Sequence, residues 1–258
     1  MGRIIAVANQ KGGVGKTTTA VNLSACLAVG GHPTLLIDMD PQANASSGCD
    51  AGPLGIEGSV YEVLLGHAPL EAVIFRTAIP GFDLVPSHIS LAGAEVEMAS
   101  ILGRERRLSE ALESTREDYE FVIVDCPPSL GLLTLNAMTA ANSCLIPVQC
   151  EYYALEGLSK LLNSIQLVQR YLNPSLEIEG VLLTMFDERL QLSRRVAAEV
   201  KSYFDEKVYT TEIRRNVSLA AAPSFGRPII LYEPRSTGAL NYHRLADEIS
   251  GAPPVAIA

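Results

Sequence analysis

The glycine-rich stretch N-Q-K-G-G-V-G-K-T-T-T-A, residues 9–20, carries two lysines, Lys11 and Lys16. Backbone N–H groups of such a loop can surround phosphate oxygens, and the following helix N-terminus adds a positive dipole end. In the common pattern, G-x-x-x-x-G-K-S/T, the lysine reaches the outer phosphates and the next hydroxyl binds Mg²⁺. Lys16 and Thr17 match those two positions. Gln10 stands where the pattern has its first glycine, and Lys11 directly after it is an additional cation.

This loop resembles the deviant P-loop of the ParA/MinD class of ATPases. The resemblance implies that Lys16 acts on the nucleotide of its own chain, whereas Lys11 reaches the phosphates of a partner chain in a nucleotide sandwich dimer. A second cation of this kind would stabilise transition-state charge, as an arginine finger does. Gly12 would lie at the dimer contact, where only a very small residue lets two loops approach. The implied nucleotide-binding residues of the loop are Lys11, Gly12, Gly13, Val14, Gly15, Lys16, Thr17 and Thr18.

Three aspartates stand at the ends of apolar runs. Asp38 and Asp40 close L-L-I-D-M-D, and Asp125 closes F-V-I-V-D in the manner of a Walker B strand. Residues two apart in an extended chain point to the same side, so Asp38 and Asp40 are expected to share one side. A carboxylate such as Asp125 can hold Mg²⁺ directly or through water. A structural role is the alternative, because aspartate is common where a strand turns into a loop.

Four longer segments extend the resemblance to the chromosomal ParA/Soj partitioning ATPases, over roughly residues 1–250. They are D-M-D-P-Q-A-N-A-S-S-G (38–48), V-I-V-D-C-P-P-S-L-G-L-L-T-L-N-A (122–137), P-V-Q-C-E-Y-Y-A-L-E-G-L (147–158) and G-V-L-L-T-M-F-D-E-R (180–189). The fold implied is that of a deviant Walker A P-loop NTPase, and the implied ligands are ATP and Mg²⁺.

The same resemblance implies roles for residues outside the loop. Asp40 would position or activate the attacking water, and Asp38 would support the Mg²⁺ shell. Asn216 would lie by the adenine, with Met185 as a second candidate. The implied catalytic residues are Lys11, Lys16 and Asp40, and the implied metal-binding residues are Thr17, Asp38 and Asp125.

One segment departs from the family pattern. The family typically reads I-P-R-N-V-R-L-S-E-A-P-S, whereas residues 213–224 here read I-R-R-N-V-S-L-A-A-A-P-S. Arg214 replaces a proline near the expected base site, and Ser218 replaces an arginine expected to contact DNA. Ala220 and Ala221 replace a Ser-Glu pair. The departures concern base and DNA contacts and leave the phosphate loop unchanged.

The resemblance also implies an assembly cycle. An ATP-bound homodimer would bind double-stranded DNA without sequence preference, and a ParB/Spo0J-type centromere-binding protein would trigger hydrolysis. The net charge of −9 argues against a protein that coats nucleic acid generally, although residues 189–227 hold eight basic and four acidic residues. Solvated helix faces are the alternative explanation of this charge. The candidate DNA-binding residues are Arg189, Arg194, Arg195, Arg214 and Arg215.

These side chains require a sheet that brings several strand ends together. The alternation of apolar runs with helical patterns predicts an α/β fold, a mostly parallel twisted sheet with helices on both faces. Ligands of such sheets bind at the carboxyl ends of the strands. The predicted strands are 4–8, 33–38, 82–86, 121–125, 143–148 and 178–184, and the predicted helices are 17–29 and, approximately, 93–114, 130–141, 154–171, 192–204 and 236–250.

Length and composition fit one folded domain. The 258 residues, of which 48% are hydrophobic and 19% charged, can form one large core. We expect a single ATPase domain over 1–250, a surface excursion at 51–60 and a loose tail at 251–258, where Pro253 and Pro254 cannot continue a helix. Five cysteines without C-x-x-C spacing, and no signal peptide, predict a cytoplasmic protein. The resemblance adds association with the nucleoid.

Two other functions use the same kind of loop. A MinD-like membrane-associated positioning ATPase would need a basic amphipathic C-terminal helix. The sequence ends G-A-P-P-V-A-I-A, without charge, so no membrane partner is expected. A P-loop small-molecule ligase or kinase would need an acceptor pocket, and no residues in the sequence indicate one.

Overall fold

Apolar strands form the centre of the molecule. The computed structural model describes residues 2–51, 58–115, 117–151 and 154–251, without the side chains of 154–156. Within these ranges the strands are β1 (Arg3–Val7), β2 (Thr34–Asp38), β3 (Phe75–Arg76), β4 (Phe82–Val85), β5 (Phe121–Asp125), β6 (Ser143–Gln149) and β7 (Glu177–Thr184). Their order is β3-β4-β2-β5-β1-β6-β7, and each neighbouring pair is parallel except β3–β4. The predicted α/β sheet is confirmed.

Helices cover both faces of this sheet. They are α1 (Lys16–Val29), α2 (Asn44–Ser47), α3 (Val60–Leu65), α4 (Leu91–Glu97), α5 (Arg107–Ala111), α6 (Leu132–Ala140), α7 (Ala154–Tyr171), α8 (Gln191–Phe204), α9 (Val217–Ala221), α10 (Ile229–Tyr232) and α11 (Thr237–Ser250). Ile5 and Val7 of β1 lie in one core with residues of α1 and α11, whereas Ile4 and Ala6 lie in another with residues of α6 and α7. The two-residue period of a strand produces this alternation.

The strand register brings the predicted carboxylates together. Val7 of β1 and Asp38 of β2 both lie beside Asp125 of β5, which runs between them. Because the three strands are parallel, the loops that follow them leave the sheet at the same edge. Segments far apart in the sequence therefore meet around one site.

The prediction of one helix near 93–114 is wrong, because this segment is interrupted. The chain instead forms α4, 3-10 turns at Met98–Ser100 and Arg104–Arg106, and then α5. Ile101 is extended and Gly103 has a φ of 73°, so a helix cannot continue through them. The other predicted strands and helices agree with the structure to within two residues at each end. Strand β3 and helices α2, α3, α9 and α10 are too short for periodicity to reveal.

Some expectations fall outside the described residues. Residues 52–57, most of the expected surface excursion, and residues 252–258 of the expected tail are among them. All five cysteines are buried and free, as expected of core residues. Among the described residues, no helix combines the length and apolarity needed to cross a bilayer.

Candidate nucleotide site

A cavity of about 600 Å³ opens at the edge where β1, β2 and β5 end. Four segments form its wall: the glycine-rich loop with the start of α1, the loop after β2 with α2, the turn after β5, and the stretch after α9. The lining residues are Gly12, Gly13, Gly15, Lys16, Thr17, Thr18, Val21, Asn22, Asp40, Gln42, Asn44, Ser47, Gly48, Pro128, Ala222, Pro223, Ser224 and Arg227.

The backbone of the glycine-rich loop requires glycine at two positions. Gly13 and Gly15 have φ values of 73° and 88°, which residues with a side chain rarely adopt. Val14 between them is buried, and its carbonyl accepts a hydrogen bond from the Thr184 hydroxyl at 2.8 Å. This bond ties the loop to the end of β7. Val14 thus supports the loop from outside the cavity.

Lys16 is the buried lysine of the pair. Only 6% of the residue is exposed, it lines the cavity, and its Nζ donates to the Lys11 carbonyl at 3.1 Å. Burial lowers the pKa of Lys16, and the nearby charge of Asp125 opposes that shift. A buried ammonium is unfavourable unless it is paired, so this group is suited to an anionic ligand such as phosphate.

Lys11 has a different environment, because it does not line the cavity. Its side chain is 33% exposed, and its Nζ lies 3.6 Å from Oε2 of Glu151 in the loop after β6. Its main chain is fixed, since the N–H donates to Asn9 Oδ1 at 3.0 Å and the carbonyl accepts from Lys16. In the single chain, Lys11 is therefore paired outside the cavity, and its side chain is the part left to move.

Gly12 differs from the other glycines of the loop. A Cβ built at this position would have no atom of the described residues within 4 Å, and the backbone is not left-handed there. The described part of the single chain therefore leaves room for a Cβ at Gly12. Within this part, nothing against the Cβ position requires glycine.

Asp38 organises the loop that follows β2. Its Oδ2 accepts hydrogen bonds from the N–H and the hydroxyl of Ser46 at 2.8 and 2.7 Å, and its Oδ1 accepts from the Asp40 N–H at 3.1 Å. Burial raises the pKa of Asp38 despite these bonds. Asp38 is fully buried and does not line the cavity, so its oxygens face its own loop.

Asp125 is the unsatisfied carboxylate of the site. It is fully buried, and within the described residues neither oxygen has a hydrogen bond of good geometry, although the Thr17 hydroxyl lies close enough to lower the pKa. Burial and, next, the charge of Asp38 raise the pKa of Asp125 well above its usual value. A nearby divalent cation would stabilise the ionised form.

The donor set fits Mg²⁺ better than a metal held by protein alone. Among the described residues, no three His, Cys, Asp or Glu side chains are grouped to hold a metal. Mg²⁺ is usually bound by one or two carboxylates together with waters and substrate phosphates. Asp125 and the Thr17 hydroxyl, which lines the cavity, supply such a partial set.

Asp40 is the aspartate of the three that lines the cavity. The residue is 7% exposed, and its Oδ1 accepts a hydrogen bond from the Gln42 N–H at 2.9 Å. This contact fixes the carboxylate at the cavity wall. A carboxylate held in this way can orient a water molecule for attack.

Residues that sequence reasoning did not single out form another part of the wall. They are the stretch 222–224 and Arg227. Asn22 of α1 holds this region, because its Oδ1 accepts from the Ile229 N–H at 2.7 Å and its Nδ2 donates to the Thr18 carbonyl at 2.7 Å. The available sequence signal was an asparagine within a mostly apolar helical run, and in the structure Asn22 is 5% exposed.

Neither residue expected near the adenine lines the cavity. Asn216 caps α9, where its Oδ1 accepts from the Leu219 N–H at 3.1 Å and its Nδ2 donates to Thr237 Oγ1 at 2.8 Å. Met185 follows β7 with a φ of 50°, in the left-handed region. Asn216 thus stabilises the start of α9, the helix that leads into the stretch 222–224.

The basic surface is defined by the arginines Arg189, Arg194, Arg195, Arg214 and Arg215. Arg189 donates through Nε and Nη2 to the two oxygens of Asp187, at 2.9 and 2.7 Å. Arg194 and Arg195 lie on α8 beside Leu192, which is 46% exposed, and form no ion pair within the described residues. Free and paired arginines therefore coexist on this surface.

The other two arginines of the basic surface are also near acids. Arg214 Nη2 lies 3.3 Å from Glu188 Oε2, and Arg215 Nη2 lies 3.9 Å from Glu151 Oε1. Ser218, at the position where the family pattern has arginine, donates to the Glu233 carboxylate. Carboxylates thus offset part of the positive charge counted between 189 and 227.

The architecture is similar to that of solved nucleotide-binding proteins. A structure described as cobyrinic acid a,c-diamide synthase from Mycobacterium smegmatis, with bound ADP and magnesium, has a TM-score of 0.84 and 39% identity. The likeness covers 96% of this chain and 93% of that one. A second structure of that synthase contains an ATP analogue and magnesium, with the same TM-score of 0.84.

Sequence comparisons specify the family. A family model described as an AAA domain matches residues 2–178. The sporulation initiation inhibitor protein Soj of Bacillus subtilis is 56% identical over 97% of this chain and 99% of its own length. The chromosome partitioning protein ParA of Myxococcus xanthus is 51% identical over 96% of this chain and 88% of its own length. With these likenesses and a P-loop carrying two lysines, the chain belongs to the ParA/Soj family of chromosome-partitioning ATPases.

Proposed function

We propose that this chain is a partitioning switch that binds ATP, dimerises around it, and binds DNA in the dimeric state. As a family member it is an ATPase that uses ATP and Mg²⁺. One observation carries the proposal: Lys16 and Asp40 line a single cavity, while Lys11 is paired outside it. One chain therefore offers a phosphate site, and its second lysine is left for another chain.

Within one chain, the proposed division of labour follows the contacts. The loop N–H groups and Lys16 bind the outer phosphates, and Thr17 and Asp125 hold Mg²⁺. When bound, Mg²⁺ neutralises charge that builds up between the β- and γ-phosphates. Asp38 holds the loop after β2 through Ser46, so that Asp40 is fixed to orient the attacking water.

The partner's Lys11 supplies the remaining cation in the ATP-bound homodimer. It would stand where negative charge spreads over the transferred phosphoryl group, which is where arginine fingers act. Gly12 would lie at the contact between the two loops, and the empty space around its Cβ position within one chain supports this role. Residues 1–250 would act as one ATPase domain throughout the cycle.

DNA binding would use the basic surface of both chains. Among the five arginines of the basic surface, Arg194 and Arg195 form no ion pair within the described residues, and a dimer doubles the number of phosphate contacts that one DNA molecule meets. Binding would be independent of sequence, because contacts with phosphates carry no base information. This would associate the ATP-bound form with the nucleoid, and a ParB/Spo0J-type protein would stimulate hydrolysis and release.

A second candidate is an ATP-dependent amide ligase. The name of the Mycobacterium smegmatis structure, a cobyrinic acid a,c-diamide synthase, favours it at 39% identity. The relatives named Soj and ParA are more similar, at 56% and 51% identity, and the second of them is named for chromosome partitioning. An amide ligase would couple ATP use to the presence of its carboxylate acceptor and a nitrogen source.

Turnover assays distinguish the two candidates. ATP hydrolysis is measured with the chain alone, with duplex DNA plus a ParB-type protein, and with cobyrinic acid plus ammonia. The partitioning proposal expects stimulation in the second assay and no amide product in the third. Stoichiometric amide formation would support the ligase, and turnover that ignores DNA and the ParB-type protein would contradict the partitioning cycle.

A further inference from the structure

Glu151, in the loop between β6 and α7, stands near two cations from different parts of the molecule. Its Oε2 lies 3.6 Å from Lys11 Nζ, and its Oε1 lies 3.9 Å from Arg215 Nη2. Its Oε1 also accepts a hydrogen bond from Gln149 Nε2 at 2.6 Å. Gln149 thus orients the carboxylate, and each of its oxygens faces one cation.

The contacts around Lys11 fix its main chain and leave its side chain able to move. Main-chain contacts with Asn9 and Lys16 fix the residue at its backbone. A Cβ at Gly157 of α7 would lie 3.9 Å from the Lys11 Cβ, so this helix borders the base of the side chain. If the Lys11 ammonium moves to the phosphates of a second chain, it must therefore leave Glu151 by rotation of the side chain while the main chain stays in place.

We infer that Glu151 is a positioning residue that holds the Lys11 ammonium in the single chain and so opposes ATP-dependent dimerisation. This inference rests on the proposed trans role of Lys11. Each symmetric dimer breaks two Lys11–Glu151 ion pairs, because each chain sends its lysine to the other. Removal of the carboxylate charge therefore strengthens the dimer.

The expected size of the effect on dimerisation follows from the solvent exposure of the Lys11–Glu151 ion pair. The side chains of Lys11 and Glu151 are 33% and 49% exposed, so solvent screens the pair. An exposed ion pair shifts an equilibrium by about 1.5- to 5-fold. Two pairs in a twofold dimer multiply to about 2- to 25-fold. Such a factor does not prevent assembly, but it raises the protein concentration at which single chains associate.

The test is the dissociation constant of the dimer formed with a non-hydrolysable ATP analogue, measured by sedimentation without DNA. The parent is compared with Glu151→Gln and with the control Glu188→Gln. Glu188 pairs with Arg214 at 3.3 Å, so the control removes the same charge from an exposed acid that does not contact Lys11. Glu151→Gln is expected to tighten the dimer by about 2- to 25-fold, and the control by much less.

A salt series adds a readout that a purely structural role would not change. Raising salt from about 0.1 M to about 1 M shortens the Debye length from about 10 Å to about 3 Å, so the advantage of Glu151→Gln over the parent should shrink. Affinity of the single chain for a fluorescent ATP analogue should stay unchanged, and a loss of it would overturn the inference.

The remaining outcomes separate the inference from the proposed function. If the parent dimerises with the ATP analogue and Glu151→Gln does so equally or more weakly, Glu151 does not restrain Lys11, and the switch proposal stands. If the parent forms no nucleotide-dependent dimer, the switch proposal fails and the inference fails with it.

Discussion

The nucleotide cavity and the basic surface handle charge in opposite ways. Lys16 lines the cavity and is 6% exposed, and Asp125, whose charge acts on Lys16, is fully buried. On the basic surface, the Arg189 and Arg214 side chains are 85% and 53% exposed and are already paired with neighbouring carboxylates. The cavity gains from binding an anion and a metal, whereas Arg189 and Arg214 must first leave their own carboxylate partners.

This difference separates the properties of one chain from those of an assembly. Buried charges interact strongly because solvent screens them little, so ATP binding is expected from a single chain. Exposed and paired arginines give weak, salt-sensitive contacts that become useful only in number. We therefore expect ATP affinity to be insensitive to chain concentration and DNA affinity to depend on the ATP dimer.

The largest effect is expected on turnover when the trans cation is removed. Lys11→Ala should reduce DNA- and ParB-stimulated hydrolysis by about 10³-fold, as loss of an arginine finger does. Affinity of the single chain for ATP should be retained, because Lys11 lies outside the cavity. Lys201→Ala is a matched control, since Lys201 pairs with Glu212 at 2.9 Å on the surface. Normal turnover in Lys11→Ala would mean that Lys11 is only a solvated charge on the loop.

Asp40→Ala should come next, because it removes the fixed carboxylate at the cavity wall. Loss of a water-orienting group slows chemistry by about 10²-fold or more. ATP should still bind, so the variant should accumulate as a persistent ATP dimer in light scattering. Hydrolysis at the parent rate would make Asp40 a structural residue.

Lys16→Ala should act on binding itself. The outer phosphates would lose their buried cation, and hydrogen bonds to charged groups are worth about 1.5–3 kcal/mol, or roughly 10- to 150-fold in affinity. Titration with a fluorescent ATP analogue measures the change, and Lys11→Ala is the contrasting variant. Equal affinity in Lys16→Ala and the parent would remove the phosphate role of the glycine-rich loop.

The smallest effects are expected on DNA. Arg194→Ala and Arg189→Ala should each weaken ATP-dependent binding by a few-fold and reduce the log–log salt slope by about 0.9 per lost contact. Asp187→Asn should strengthen binding, because it frees Arg189 from its carboxylate partner. Gel-shift titrations with unrelated duplexes at two salt concentrations measure these changes. Binding that ignores nucleotide, or that prefers one sequence, would contradict the dimer-dependent surface.

The phosphate end of the site could be predicted because its residues are contiguous in the sequence or stand at strand ends. The wall at 222–227 could not, since the Asn22–Ile229 hydrogen bond that holds it joins residues 207 positions apart. Local patterns contain no information on such a pairing. Asn216 stays predicted at the base, and in the single chain its side chain caps α9.

The charge count of a sequence segment also could not predict which cations are free in the folded chain. The segment 189–227 looks basic, but Asp187, Glu188 and Glu151 lie outside it and contact three of its arginines. Tertiary structure thus decides which cations are free. The helix expected near 93–114 fails for a local reason, because the left-handed conformation of Gly103 interrupts it.

Mixing two inactive variants tests the central claim, that each active site combines residues of two chains. Lys11→Ala and Asp40→Ala chains are mixed in equal amounts before ATP is added, and stimulated turnover is measured. In a mixed dimer, the Lys11→Ala chain keeps its own Asp40 and receives Lys11 from its partner, so one of two sites is complete. Random pairing then predicts about one quarter of parent turnover. Turnover no higher than that of the separate variants would contradict action in trans.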